Sequence, residues 1–569
     1  MKQKILIYIL LFAGLVSIPY LVPHLGWVSL FAFTPLLALA DLFVEKEPRH
    51  RKMLLYSAFL LFNIATTFWI NWISVIGAAS AIAVNSAVMM LMFWWFIKSR
   101  RHLTRAQSYV FLIVLWVAWE RVYQNIEISW PWLNLGNSFA TSPHLVQWYE
   151  YTGFLGGSVW ILLSNVLLYE TVRRIIVMRG AENPDGVHPV LYRRGTVALG
   201  LAEALVVIVP MVISLHIYRN YQCTDDPVEV VAVQPNIDSY HEKHGGLSQD
   251  IQDQRLFSLI DSVVTPQTDY VITPETYTFR FNLDEPEGNT TYRSVMSFEK
   301  AHPDCNFILG AITYRFFSSK ALAPAGAAEV GGGMWYSSYN TAMAIDTCGI
   351  RNFYHKSKLV PAVEIIPYQR YIPFLGKIME ACGGSSSSYG ISDDVENLHC
   401  KDSTEVGVMI CYESIYGDYF RKTAKYGADF VAVITNDGWW GDTPGYRQHF
   451  RYAKLRAIET RRDVVHVANT GISGFIDQRG DVVQKSGWWV PTAIRGTVNR
   501  NDKLTYFAEH GDFVGRFCCF MLLLMLAAIL VKAIVNRKPA AGERASGKPA
   551  AGGPVSGKPA APKSAGRKH

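Results

Sequence analysis

Charged residues are scarce in this chain: Asp, Glu, Lys and Arg make up 18% of the 569 residues, against 50% hydrophobic. Soluble globular chains carry about 25% charged residues, so a wholly soluble fold is disfavoured and a membrane protein is expected. Metal-binding cysteine patterns are missing too. The eight cysteines (Cys223, Cys305, Cys348, Cys382, Cys400, Cys411, Cys518 and Cys519) are scattered, with no CxxC and no His-rich partner spacing. This argues against a zinc site, and no metal or cofactor is expected. The formal charge of +7 does not point to nucleic acid, because the basic residues cluster in short loops between apolar runs and in the C-terminal tail. That placement is the pattern of membrane topology. Lys2 and Lys4 precede an apolar run as in a signal peptide, but no small-x-small cleavage site follows before the next run. The first segment is therefore read as a retained helix.

A bilayer crossing needs about 20 apolar residues. Such stretches lie at Ile5–Leu21, His24–Val44, Leu54–Val75, Gly77–Ile97, Ala106–Tyr123, Gly153–Val177, Val197–Ile217 and Val514–Val535. The organisation expected is a seven-span bundle over residues 1–217, a globular domain over 218–509, an eighth helix over 510–536 and a disordered basic tail over 537–569. The tail repeats Ala, Pro, Gly and Lys and has nothing from which to build a core.

Orientation follows from where Lys and Arg lie, since they stay on the cytoplasmic side. The second loop carries Lys46, Arg49, Arg51 and Lys52, the fourth Lys98, Arg100, Arg101 and Arg105, and the sixth Arg173, Arg174, Arg179, Arg193 and Arg194, whereas the connection Val122–Tyr151 has neither Lys nor Arg. Both termini are thus expected in the cytoplasm and the globular domain outside. Trp130, Trp132, Trp148, Tyr149 and Tyr151 in that connection are expected to anchor at the headgroup level, with a substrate-entry role as the alternative. Asp41 and Glu120 lie near span ends, where snorkelling would suffice.

Between the seventh and eighth spans, β-rich runs begin at Val228, Tyr270, Asn306, Tyr339, Glu405, Asp429 and Val464, with helical patterns such as Tyr446–Thr460 between them. Strands alternating with helices imply a layered α/β domain, and catalytic groups in such folds emerge at strand ends. Three of these ends carry reactive side chains: Glu275 in VITPETY, Lys356 in NFYHKSKLVP and Cys411 in GVMICYE. A thiol attacks as thiolate, and with an ordinary pKa of about 8.5 it needs a base and a nearby cation. Glutamate can take the proton, and a lysine ammonium can favour the thiolate and then an oxyanion.

With Pro274–Glu275, Tyr-x-Lys-x-x-Leu-Val-Pro over Tyr354–Pro361 and Cys411-Tyr412-Glu413, the chain resembles the nitrilase, or carbon–nitrogen hydrolase, superfamily. The segment from Thr435 (TNDGWWGDTPGYRQHFRYAKLRAIETRRDVVHVANTG) and the seven-plus-one arrangement of spans are similar to its apolipoprotein N-acyltransferase branch. The resemblance implies an αββα sandwich beside a membrane α-helical bundle of about eight spans. It implies Glu275 as general base, Cys411 as acylated nucleophile and Lys356 as oxyanion-stabilising cation, with Lys358 the competing choice. It also implies supporting or substrate-binding roles for Glu364, Tyr412, Glu413, Asn436, Trp439 and Trp440, with packing or hydrogen bonding alone the alternative for Tyr412 and Glu413 and core packing the alternative for the two tryptophans.

The chain departs from the family where Pro361-Ala362-Val363-Glu364 lacks the glycine of P-F-G-E, and where Tyr240 and His241 stand in place of a tryptophan. The insert Ala381–Cys400 is expected to be a flexible loop, a lid, or a tether closed by Cys382 and Cys400. The implied partners are a phospholipid acyl donor, by family analogy phosphatidylethanolamine, and diacylglyceryl-modified lipoproteins in a bacterial inner membrane, with the domain in the periplasm. Two other readings stay open at this level: a membrane-tethered carbon–nitrogen hydrolase, and a non-enzymatic lipoprotein-binding protein.

Overall fold

The computed structural model describes residues 1–179, 189–243, 246–324, 326–369, 371, 372, 374, 376 and 388–535. The tail 537–569 and Cys382, with the bridge expected of it, lie outside the described residues, and Cys400 is a buried free thiol.

Among the described residues, seven helical segments are long and apolar enough to cross a membrane: Lys2–Leu21, Gly26–Lys46, Arg51–Trp72, Val75–Ser99, Tyr149–Arg179, Val190–Asn220 and Phe513–Ile534. The remaining expected span is the helix Arg105–Tyr123, which carries Arg105, Glu120 and Arg121 and packs against Val75–Ser99, Tyr149–Arg179 and Phe513–Val535. Its end is not a snorkelling site. Glu120 is fully buried and accepts from Leu135 N at 2.8 Å and Trp116 Nε1 at 3.1 Å. Asp41 likewise lies in a charge cluster, accepting from Tyr169 Oη at 2.6 Å and pairing with Arg100 and Arg105.

The globular region is a sandwich of two sheets. One contains β1 (Pro227–Gln234), β2 (Tyr270–Ile272), β3 (Thr278–Asn282), β4 (Asn306–Phe317), β5 (Ala328–Gly331), β6 (Met334–Asp346), β7 (Gly349–His355) and β14 (Thr492–Asn499); its main path runs β14-β1-β2-β4-β6-β5. The other runs β13-β12-β11-β10-β9-β8, from Val482–Lys485, Gly474–Ile476, Val464–Ala468, Phe430–Thr435, Glu405–Ile410 and Leu398–His399. Alternation along each strand sorts its side chains between two layers. Val230 and Ala232 of β1 meet Val406, Val408, Ile410, Phe430 and Ala432 between the sheets, whereas Val231 and Val233 face a layer with Leu256, Ile260 and Val295 of the outer helices. On the far side, Met409, Val431 and Val433 join a core that continues through Tyr452, Ala453 and Ile458 into the bundle.

That continuity corrects the reading of the connection 122–151. Trp132 and Tyr149 are at most 1% exposed, and Trp132 Nε1 donates to Gln448 Oε1 at 2.6 Å while Tyr452 Oη donates to the Trp132 carbonyl at 2.8 Å. Gln448 also donates to Thr66 O at 3.1 Å, and Glu459 accepts from Phe154 N at 2.9 Å. Most of these aromatics are a buried joint between bundle and domain; Tyr151 alone among them is largely exposed.

Candidate active site

The three reactive residues stand at strand ends, as their sequence context suggested. β2 ends just before Glu275, and the backbone there is tight: Thr276 has φ +51°, an outlier for a β-branched residue. Gly310 of β4 permits the crossing, since a Cβ there would come within 2.2 Å of Pro274 O and 3.1 Å of Glu275 Cα. β7 delivers Lys356, whose N–H donates to Asn340 O at 2.8 Å. β9 delivers Cys411, which takes φ +53°. The left-handed conformation costs a non-glycine residue about 1–2 kcal/mol, and such strain collects at functional sites.

Lys356, 1% exposed, places Nζ 3.0 Å from Glu275 Oε1 and 2.9 Å from Glu364 Oε1. Asn340 Nδ2 donates to the same two oxygens at 2.7 and 3.2 Å. Burial pulls the Lys356 ammonium toward neutrality, but Glu275 and Glu364, with Cys411, outweigh it and hold its pKa well above the ordinary value. The cation is thus fixed. Burial, with Glu275 adding to it, pushes the Cys411 thiol well up, and Lys356 acts against them. A resting thiol whose proton leaves only as the bond to carbon forms fits that balance.

Glu413 is a brace. Its Oε1 accepts from Tyr354 Oη at 2.7 Å, Ser357 N at 2.7 Å and Lys358 N at 3.0 Å, and its Oε2 from Ile410 N at 2.9 Å. One buried carboxylate thereby ties the Lys356 loop to the Cys411 turn. Glu364 Oε2 also accepts from Val360 N at 2.8 Å, closing its own loop. Ala362 in that loop takes φ +67°, whereas Val363, at the position of the missing glycine, needs no left-handed conformation. Lys358 is directed elsewhere, with Nζ 5.5 Å and 5.4 Å from the ring centroids of Tyr416 and Tyr419.

The other expected residues sit around this centre. Tyr412 Oη donates to Ser129 O at 2.8 Å and its ring stacks on Trp130, so it faces the joint with the bundle. Asn436 Oδ1 accepts from Ser239, Asn469 and Thr470 at 3.1, 3.1 and 3.2 Å and pins loops together. Trp440 packs on Trp69 and Trp132, whereas Trp439 is partly exposed against Tyr240. Tyr240 Oη donates to Trp72 O at 2.9 Å and Trp439 O at 3.0 Å, joining domain to bundle where the family's tryptophan is missing.

Sequence reasoning missed Asn340, Lys243 and the His449–Asp437 pair. Lys243 is buried, donates to Thr276 Oγ1 at 2.8 Å, and burial lowers its pKa to about 8 against the pull of Glu275. Asn340 lies in a strand that had been recognised, and an asparagine amid apolar strand residues was its only signal. Among the described residues, Asp437, His449 and His466 bring ligand-type atoms within 4.8 Å of one another. Both ring nitrogens of His449 have protein partners, Asp437 Oδ1 at 3.0 Å and Cys411 O at 3.1 Å, which makes the cluster a hydrogen-bonded relay.

Residues 12–167 match the family described as the apolipoprotein N-acyltransferase N-terminal domain, and residues 253–503 match the carbon-nitrogen hydrolase family. The chain is similar to the apolipoprotein N-acyltransferase of Chlorobaculum tepidum, with 29% identity over 533 residues covering 90% of this chain and 93% of that protein. It is similar to those of Pasteurella multocida (25% identity, 92% of this chain and 96% of the relative) and Geobacter metallireducens (23%, 92% and 94%).

Proposed function

The chain belongs to the apolipoprotein N-acyltransferase family, and from that premise we propose that Glu275, Lys356 and Cys411 transfer an acyl chain from a phospholipid to the N-terminal amine of a diacylglyceryl-modified lipoprotein. The observation that carries this reading is the buried Lys356 ammonium bridging Glu275 and Glu364 at 3.0 and 2.9 Å beside the left-handed turn at Cys411. In the first half-reaction Glu275 takes the Cys411 proton as sulfur bonds to the ester carbonyl carbon. Lys356 neutralises the oxyanion, the carbon–oxygen bond breaks, and the departing lysophospholipid takes the proton from Glu275. A thioester remains on Cys411. The α-amine of the lipoprotein cysteine then attacks it, yields a proton to Glu275, and leaves as an amide while the Cys411 sulfur regains a proton.

The bundle suits this chemistry, because both substrates keep their acyl chains in lipid while their reacting groups stand at its edge. Phosphatidylethanolamine is the donor we favour. Basic even-numbered loops support a cytoplasmic N-terminus and a periplasmic catalytic domain in the inner membrane. The test is incubation of purified protein with labelled phospholipid and a diacylglyceryl peptide. An acyl adduct on the Cys411 peptide and N-acylated product are expected, whereas free fatty acid without N-acylated peptide would mean a hydrolase. Binding of the diacylglyceryl peptide that is unchanged in Cys411→Ala, with neither acyl adduct nor N-acylated product in the parent, would favour a non-enzymatic binding role.

A further inference from the structure

The buried relay behind the nucleophile is not used in that mechanism, and its hydrogen bonds constrain its protonation. His449 Nδ1 lies 3.0 Å from Asp437 Oδ1, an oxygen that also accepts from Thr435 Oγ1 at 2.7 Å. A carboxylate oxygen only accepts, so Nδ1 carries a proton. On the other side, Nε2 lies 3.1 Å from Cys411 O and 2.9 Å from Ser414 Oγ, and the Ser414 hydroxyl itself donates to Cys411 O at 2.8 Å. A bare Nε2 would set its lone pair against a carbonyl, so Nε2 carries a proton too.

Resting on the transferase reading above, we propose that His449 is a positioning residue for the acyl transfer, held as an imidazolium whose Nε2–H grips the carbonyl of Cys411. The grip fixes the strained residue from its C-terminal side, as the Ile410–Glu413 bond does from the other. It also sets a positive charge against the backbone of Cys411.

The surroundings fit. The groups facing His449 are Asp437 from the turn after β10, Cys411 from the turn after β9, His466 from β11 with ring centroids 5.3 Å apart, and Glu275 acting across the site. The rings of Trp132 and Trp440 lie 5.9 and 5.8 Å away. Burial pulls the His449 pKa down, but Asp437 and the Cys411 carbonyl outweigh it and the net direction is up. Burial and the charge of His449 instead push His466 down to about 4, leaving it neutral. Its Nδ1 donates to Ile472 O at 2.9 Å, so His466 Nε2 and Asp437 Oδ2 are two buried acceptors without partners.

The experiment compares His449→Gln, Asp437→Asn and the parent by two readouts across pH 5–10. One is the rate of acyl-enzyme formation from phospholipid. The other is the rate of Cys411 alkylation by iodoacetamide, with Cys411→Ala subtracting the other thiols. In the parent, acylation should fall on the alkaline side as His449 loses its proton. His449→Gln should abolish that limb and run about 10- to 100-fold slower at neutral pH, the range that loss of one charged hydrogen bond implies. Its alkylation profile should move to higher pH. Asp437→Asn should shift the acylation limb to lower pH. Asparagine fits the site, since its amide can donate to the bare His466 nitrogen, so this variant decides the matter if His449→Gln does not fold. A parent-like profile in either folded variant overturns the proposal. If the parent forms no acyl-enzyme, the transferase reading fails instead, and the alkylation profiles still judge His449.

Discussion

Replacing Lys356 by methionine tests the central ion cluster. The substitution keeps most of the length of the side chain but leaves Glu275 and Glu364, both bonded to Asn340 Nδ2 at 2.7 and 3.2 Å, without their shared cation. Lys243 is a remaining cation that interacts with Glu275, and burial has already lowered its pKa to about 8. Removing one partner of a buried pair costs roughly 3–5 kcal/mol when the other stays charged. The two carboxylates escape part of that cost by taking up a proton. A carboxyl whose folded pKa is raised above its unfolded value of about 4.3 binds protons more tightly in the native state. The deficit should therefore be roughly 3–5 kcal/mol near pH 8 and shrink toward pH 5. The parent should show no such trend from this lysine. Its folded pKa lies above 10.5, so its stabilisation is fully present below that pH and is lost only at higher pH. Thermal unfolding in lipid nanodiscs, followed by tryptophan fluorescence at pH 5 and pH 8, reads the difference. Equal deficits at the two pH values, or none, would refute the cluster's role, as would an undiminished acyl adduct on Cys411.

Glu413→Gln turns an amide toward a shell made only of donors, so we expect a loss of roughly 2–4 kcal/mol and slower acylation, checked by unfolding and intact mass. Gly310→Ala forces a Cβ to within 2.2 Å of Pro274 O, which should displace Glu275 and lower acyl-enzyme yield at least about tenfold for each 1.4 kcal/mol of misplacement, with most of the fold retained by circular dichroism. Ala362→Gly relieves a residue at φ +67° and should stabilise by up to about 1 kcal/mol, visible as a higher unfolding midpoint. Cys348 is exposed on the catalytic domain, so a membrane-impermeant maleimide should label it in intact spheroplasts and lose that label in Cys348→Ala. Labelling that requires lysis would reverse the topology.

What could be read in advance depended on how local its cause was. All seven expected strands are present, because alternation along β1, β9, β10 and β11 reflects the two layers each strand separates. β3, β5, β8, β12 and β13, of two to five residues, are too short to impose a period and escaped notice, as did the eight-residue β14. The joint 122–151 was misjudged because tryptophan and tyrosine with no nearby Lys or Arg satisfy two environments equally, a headgroup layer and an inter-domain contact. Only the partner surface, here Gln448 and Tyr452 of a helix more than 300 residues further on, distinguishes them. His449 was hidden in a similar way. It lies in a pattern read simply as a helix, and its meaning arises when that helix packs its ring against a carbonyl 38 residues earlier. By contrast, the Tyr-x-Lys and Cys-Tyr-Glu motifs were recognisable separately, and the structure supplies their link: Tyr354 and Glu413 bond at 2.7 Å. The two motifs therefore constrain one another, since a change at either side chain would release both Lys356 and Cys411 from their shared position.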